Sequence, residues 1–116
     1  VAFKLTLGGT ITTIYSFCPV RNRGACPDGN TPYGGVTQGT DGGFYGAAGG
    51  AINDDGVLYR LTSQGQIFLE HTFDATDGSG AYGELLQTTD GSFYGSTQGG
   101  GSDGVGTLFN LAWLRL

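Results

Sequence analysis

The chain has 116 residues, 24 of them Gly and only 13% charged, with a formal charge of −5 and a pI near 4.3. This balance leaves no basic patch for a phosphate backbone and excludes nucleic acid as an expected partner, and no apolar run approaches the ~20 residues of a membrane-spanning helix. Seven Phe and six Tyr recur at regular intervals, which gives a Gly-rich chain apolar surface to bury and points to short strands joined by tight turns in one small domain.

In chain order, Val1 to Thr6 alternates so that Val1, Phe3 and Leu5 share one face of a strand. A Gly8-Gly9 turn follows, and Thr10 to Phe17, rich in β-branched and aromatic residues, completes a hairpin. Cys18 and Cys26 lie in a loop containing Pro and Gly, at a spacing that a disulfide closes, with two free thiols as the alternative, and that a zinc site would leave two ligands short. A bridge across that loop is worth roughly 2.5 kcal/mol in the chain-entropy model and implies an extracytoplasmic location. A third, weaker strand is expected around Tyr33 to Gln38, and a fourth carries Phe44 and Tyr45 after the Asp41-Gly42 turn.

The pattern then returns. Val57 to Thr62 repeats Val1 to Thr6, Gln66 to Phe73 repeats Thr10 to Phe17, and Gly65 falls on Gly9. Without a counterpart of the cysteine loop, the second pass runs ahead from Asp77: Tyr82 answers Tyr33, Gln87 answers Gln38, and Asp90 to Gly95 repeats Asp41 to Gly46. Gly106 to Leu111 opens a third pass, in which Phe109 answers Phe3 and Tyr59, before Trp113 to Leu116 departs from the pattern. The whole of 1–116 reads as one repeat array, with a partial unit over 1–40, a full unit over 41–89 and a partial unit over 90–116. Four short strands per period of about 50 residues, with no helical signal, predict an all-β fold of β-propeller-type blades, a sandwich of seven or more strands being the alternative. The chain starts in what reads as mid-strand with no signal-peptide pattern, so a mature or excerpted product is expected.

The motif Asp-Gly-x-Phe-Tyr-Gly, a Gly-rich turn, Gly-x-Leu-Phe/Tyr-x-Leu, Gly-x-Ile, a terminal Phe, and then Asp-Gly with Tyr-Gly and Gln together resemble the GloVer tandem repeat of secreted or surface-anchored bacterial proteins. The resemblance spans nearly the whole chain twice over. It implies an exported, propeller-like protein and supplies no catalytic residues.

Isolated motif matches yield to the repeat. Gly100 to Gly104 fits the Gly-x-Ser-x-Gly elbow, and Gly99 to Gly104 fits Gly-x-Gly-x-x-Gly, but both mechanisms need a strand before and a helix after. His71, the one histidine, aligns with Tyr15 in a strand and reads as a packing or surface residue. Glu70 reads as reaching solvent or Arg60. Six Asp-Gly pairs, at Asp28, Asp41, Asp55, Asp77, Asp90 and Asp103, read as turns. Asp74 to Gly80 and Asn53 to Asp55 gather oxygen ligands without the spacing of a calcium loop, so neither a metal nor any other cofactor is expected.

Three functions are compatible with these residues. A structural or assembly module needs only the repeats. A glycan-binding module would use Tyr33 or Tyr82 with Gln38 or Gln87, one shallow site per repeat. A glycosidase would need paired carboxylates, which the spacing of Glu70 and Glu84 does not supply, so no enzyme is expected. Propellers close with about four to eight blades, so two repeats require either a longer chain or head-to-tail self-association into a ring or a filament. Val1, Phe3, Phe109, Trp113, Leu114 and Leu116 are the residues expected at those contacts, in an extracellular or cell-surface setting.

Overall fold

The computed structural model describes residues 1–21 and 23–112, and over them the chain is all-β with nine strands. They are β1 (Ala2–Leu5), β2 (Ile11–Tyr15), β3 (Thr37–Gln38), β4 (Phe44–Ala48), β5 (Val57–Leu61), β6 (Ile67–Thr72), β7 (Leu86–Gln87), β8 (Phe93–Thr97) and β9 (Thr107–Leu111). Each coincides with an expected strand. No helix among the described residues is long and apolar enough to cross a membrane.

The strands form three antiparallel sheets, β1-β2, β3-β4-β5-β6 and β7-β8-β9, and they do not close into a ring. This grouping differs by one strand from a unit spanning 41–89. Thr37–Gln38 pairs with β4, and Leu86–Gln87 pairs forward with β8 instead of back with β6. The physical cause is the linker that leaves β2 and, in the second copy, β6. Thr31 bridges Gly49 and Ser79 bridges Gly99, so the chain is already bound to the next sheet before its short strand begins.

Pleat alternation divides the middle sheet into two apolar faces. Ala48, Val57, Tyr59 and Leu61 point one way and bury against Ala2, Ile14, Tyr15 and Phe17 of the first sheet and its exit. Tyr45, Ala47 and Leu58 point the other way and bury with Ala81, Leu85 and Phe93, joined by Phe109 and Leu111 of the third sheet. The result is a stack of three layers with a core on each side of the central one.

The repetition extends to detail. Gly9 and Gly65 turn the two equivalent hairpins at φ 89° and 88°, because only a residue without Cβ adopts that backbone cheaply. A Thr hydroxyl, that of Thr6 or Thr62, accepts the N–H of the residue four positions on in each case, at 3.1 Å. Both hairpins carry a β-bulge at the same place, between Ala2 and Phe3 and between Leu58 and Tyr59, which leaves Ile14 and Glu70 as the extra residues.

Candidate functional site

The Asp-Gly-x-Phe-Tyr-Gly motif distributes its side chains among three neighbours. Asp41 accepts the Gly43 N–H at 3.0 Å and the Tyr45 hydroxyl at 2.9 Å, closing the turn into β4. Phe44 faces the first sheet, while the Tyr45 ring lies 4.1 Å from the Phe93 ring of the third. Gly46 has no room for a side chain, since a Cβ there would stand 2.6 Å from the Tyr59 hydroxyl. Gly95 is equally confined, with Phe109 Cζ 2.4 Å from the place a Cβ would take. In this second copy the Thr88 hydroxyl and the Ser92 N–H hold Asp90, and they lower its carboxyl below the usual range.

The two joints between sheets are copies of each other. At the first, Tyr15 packs edge-on against Phe17 (5.1 Å) and Phe17 against Tyr59 (5.1 Å). At the second, His71 packs edge-on against Phe73 (4.9 Å) and Phe73 against Phe109 (5.6 Å). An aspartate ties each one. Asp28 accepts the Tyr15 hydroxyl and the Cys18 N–H, and Asp77 contacts His71 Nε2 at 2.6 Å and accepts the Asp74 N–H at 3.1 Å. Burial, then the bond to Asp28, raises the Tyr15 phenol well above its ordinary pKa, and burial pushes Tyr59 up to about 12. The glycine after each aspartate presses on the next sheet. A Cβ on Gly29 would lie 2.6 Å from the Ala48 Cβ, and one on Gly78 would lie 2.7 Å from Thr97 Cγ2. Two of the six Asp-Gly pairs are thus inter-sheet clasps, a role that turn chemistry alone does not reveal.

Of the residues expected at a glycan site, the two tyrosines come together. Tyr33 and Tyr82, 73% and 44% exposed, meet each other edge-on with centroids 5.4 Å apart, so the two copies converge on one place. Gln38 donates to the Gly42 carbonyl at 3.4 Å. Gln87 donates to the Gly91 carbonyl at 3.1 Å and accepts the Thr40 N–H of the neighbouring sheet at 3.0 Å. Both amides therefore serve their own turns, and Gln87 also fastens one sheet to the next. The Glu84 carboxylate lies over Gly35, where a Cβ would be 2.8 Å away.

Among the expected contact residues, Val1 and Phe3 are exposed, and Phe109 packs inward on Phe73. Trp113, Leu114 and Leu116 lie outside the described residues. The outward counterparts on the third sheet are Tyr94 and Leu108, and they could have been found by aligning β8 and β9 with Tyr45 and Leu58. Cys18 and Cys26 form a disulfide with Cα atoms 4.9 Å apart, which is consistent with an extracellular location. Glu70 meets Arg60 at 3.3 Å, and the Arg60 guanidinium lies 4.2 Å over the Phe68 ring. Asp74 accepts the Thr76 hydroxyl and the Thr76 and Asp77 N–H groups, the Thr76 hydroxyl first among them lowering its carboxyl pKa. Gly101 to Gly104 is a turn between β8 and β9, with the Gly104 N–H donated to the Gly101 carbonyl at 3.2 Å.

Duplicated joints, duplicated hairpins and a shared Phe-Tyr-Gly strand define a tandem-repeat all-β protein. The chain belongs to the Gloeobacter/Verrucomicrobia repeat family, the GloVer repeat, whose sequence profile matches residues 1–114. No curated protein and no solved structure matches it.

Proposed function

We propose that this chain is a non-catalytic structural module of an exported bacterial repeat protein, in which propeller-type blades join further copies of themselves head to tail. One observation carries the reading. Residues that are buried at the internal joints have counterparts left bare on the outer faces: Tyr59 is 1% exposed and its counterpart Phe3 57%, Leu58 is 2% exposed and its counterpart Leu108 90%. Val1 and Leu5 repeat the contrast with Val57 and Leu61, and Tyr94 repeats it with Tyr45. A face built to be buried, and exposed at both ends of a stack, fits another copy of the same stack and makes the contact heterologous. Such contacts form a ring where the rotation closes and a filament where it does not. The disulfide supports export.

Light scattering on the isolated chain tests this. Species larger than 11.9 kDa are expected, with Leu108→Glu and Phe3→Glu each shifting them toward monomer while circular dichroism stays unchanged. A monomer at all concentrations overturns the reading.

Glycan binding is a second reading, supported by the exposed Tyr33-Tyr82 pair. It places one aromatic platform where two copies meet, without the glutamine amides. Sugar-induced shifts in the Tyr33 and Tyr82 ring resonances on a glycan panel test it, and none on any sugar removes it.

A further inference from the structure

We propose that the free edge of β1 receives the inner strand pair of another copy of this repeat, a hairpin of the β3-β4 and β7-β8 kind, in a register set by Phe3. This rests on the assembly reading above and names the partner strand.

The β1-β2 hairpin equals β5-β6 in turn, hydrogen bonds and bulge. β5, however, is paired on both sides, by β4 and β6, whereas among the described residues β1 is paired on one side only, by β2. Transferring the β4-β5 register, in which Phe44, Tyr45 and Gly46 oppose Leu61, Arg60 and Tyr59, puts an incoming Phe-Tyr-Gly against Leu5, Lys4 and Phe3.

Three separate features of the first sheet then gain what they lack. The N–H and C=O groups along the open side of β1 gain ladder partners, as in β-strand addition. The Phe3 ring gains a glycine to lie across, as Tyr59 lies across Gly46 and Phe109 across Gly95, where any Cβ would stand 2.6 or 2.4 Å from the ring substituent or ring atom. That clearance makes glycine the determinant of which strands fit. Finally, an apolar groove of about 390 Å³ between the first two sheets, lined by Ile14, Val36, Phe44 and Leu61 among others, gains the tyrosine. At the complete joint Tyr45 covers Phe93, which is fully buried; in the groove the equivalent Phe44 is only half-buried.

The experiment extends the chain at its N-terminus with a copy of residues 84–106, so that the added Gly106 precedes Val1 as Gly56 precedes Val57. Hydrogen exchange of β1 amides is expected to slow by at least about tenfold, with a higher thermal midpoint. The same extension carrying Gly95→Val in the added copy is expected to give neither change. Equal β1 exchange with and without the extension, or equal protection by the Gly95→Val extension, overturns the proposal. Light scattering on the unextended chain decides the assembly reading independently, so the two failures are distinguishable.

Discussion

Gly29 and Gly42 each follow an aspartate and each hold φ at 84°, but their surroundings differ. Nothing lies within 4 Å of a Cβ added at Gly42, whereas one at Gly29 would meet Ala48 Cβ and the Gly49 carbonyl at 2.6 and 2.8 Å. Gly42→Ala should therefore cost only the left-handed backbone, about 1 kcal/mol. Gly29→Ala adds overpacking of a joint and should cost about 3 kcal/mol. Urea unfolding midpoints of the two variants measure the difference, and equal losses would mean that Gly29 is an ordinary turn glycine. Tyrosine ionisation gives a second residue-level test. The unfolded chain releases the Tyr59 proton near the ordinary value of 10.0, and the folded chain holds it up to about 12. Stability from this group is therefore complete below pH 10 and falls as pH rises toward 12, and the raised Tyr15 pKa acts in the same direction. Tyr59→Phe should flatten the decline of stability measured over that window.

At the scale of elements, the same joint is built twice with different chemistry. The buried Asp28 receives a tyrosine hydroxyl and a backbone N–H beside a disulfide, whereas Asp77 meets a histidine in an exposed pair. Removing a buried acceptor leaves its donors unsatisfied, so Asp28→Ala should lose about 1–3 kcal/mol. Asp77→Ala removes a solvent-screened contact and should lose at most about 1 kcal/mol. Thermal unfolding of both variants checks the order, and the reverse order would contradict this account of the clasps. The disulfide closes the loop that carries the chain from β2 to Asp28. Reduction should lower stability by roughly 2.5 kcal/mol in the chain-entropy model, measured by denaturant titration with and without reductant. The second joint has no such bridge and depends on the shorter link from Phe73 to Asp77.

Across the whole molecule, stability follows nearest-neighbour contact. The middle sheet is covered on both faces and the outer two on one, as in a stack of repeats where each unit meets only its neighbours. Amides of β4 and β5 should accordingly be the slowest to exchange, with those of β1, β2 and β9 opening at lower free energy. Mass-spectrometric exchange on the isolated chain would show this gradient, and uniform protection would contradict it. Association at the bare outer faces should raise the end strands toward the protection of the middle ones.

The nine strands, the two hairpins, the cysteine bridge and the family were all legible in the residues. Each depends on short-range signals: alternation along Val57 to Leu61, glycine at the Gly9 and Gly65 turns, and a copied Phe-Tyr-Gly. The phase of the sheets was not legible. A cyclic pattern can be cut anywhere, and only the inter-sheet bridges of Thr31 to Gly49 and Ser79 to Gly99 decide that Gln38 and Gln87 belong with the strands that follow them. Side-chain roles were hidden for a related reason. The repeat leaves Gln87 open to a ligand, but its amide lies between Thr40 and Gly91; the repeat also puts Phe109 at an end contact, but the pleat turns it inward on Phe73 and presents Leu108 instead. Which segments become strands, and that they recur, follows from local preferences that can be read along the chain. Which strands share a sheet, and which face is left bare, depends on the surfaces that meet and so emerges only in the folded molecule.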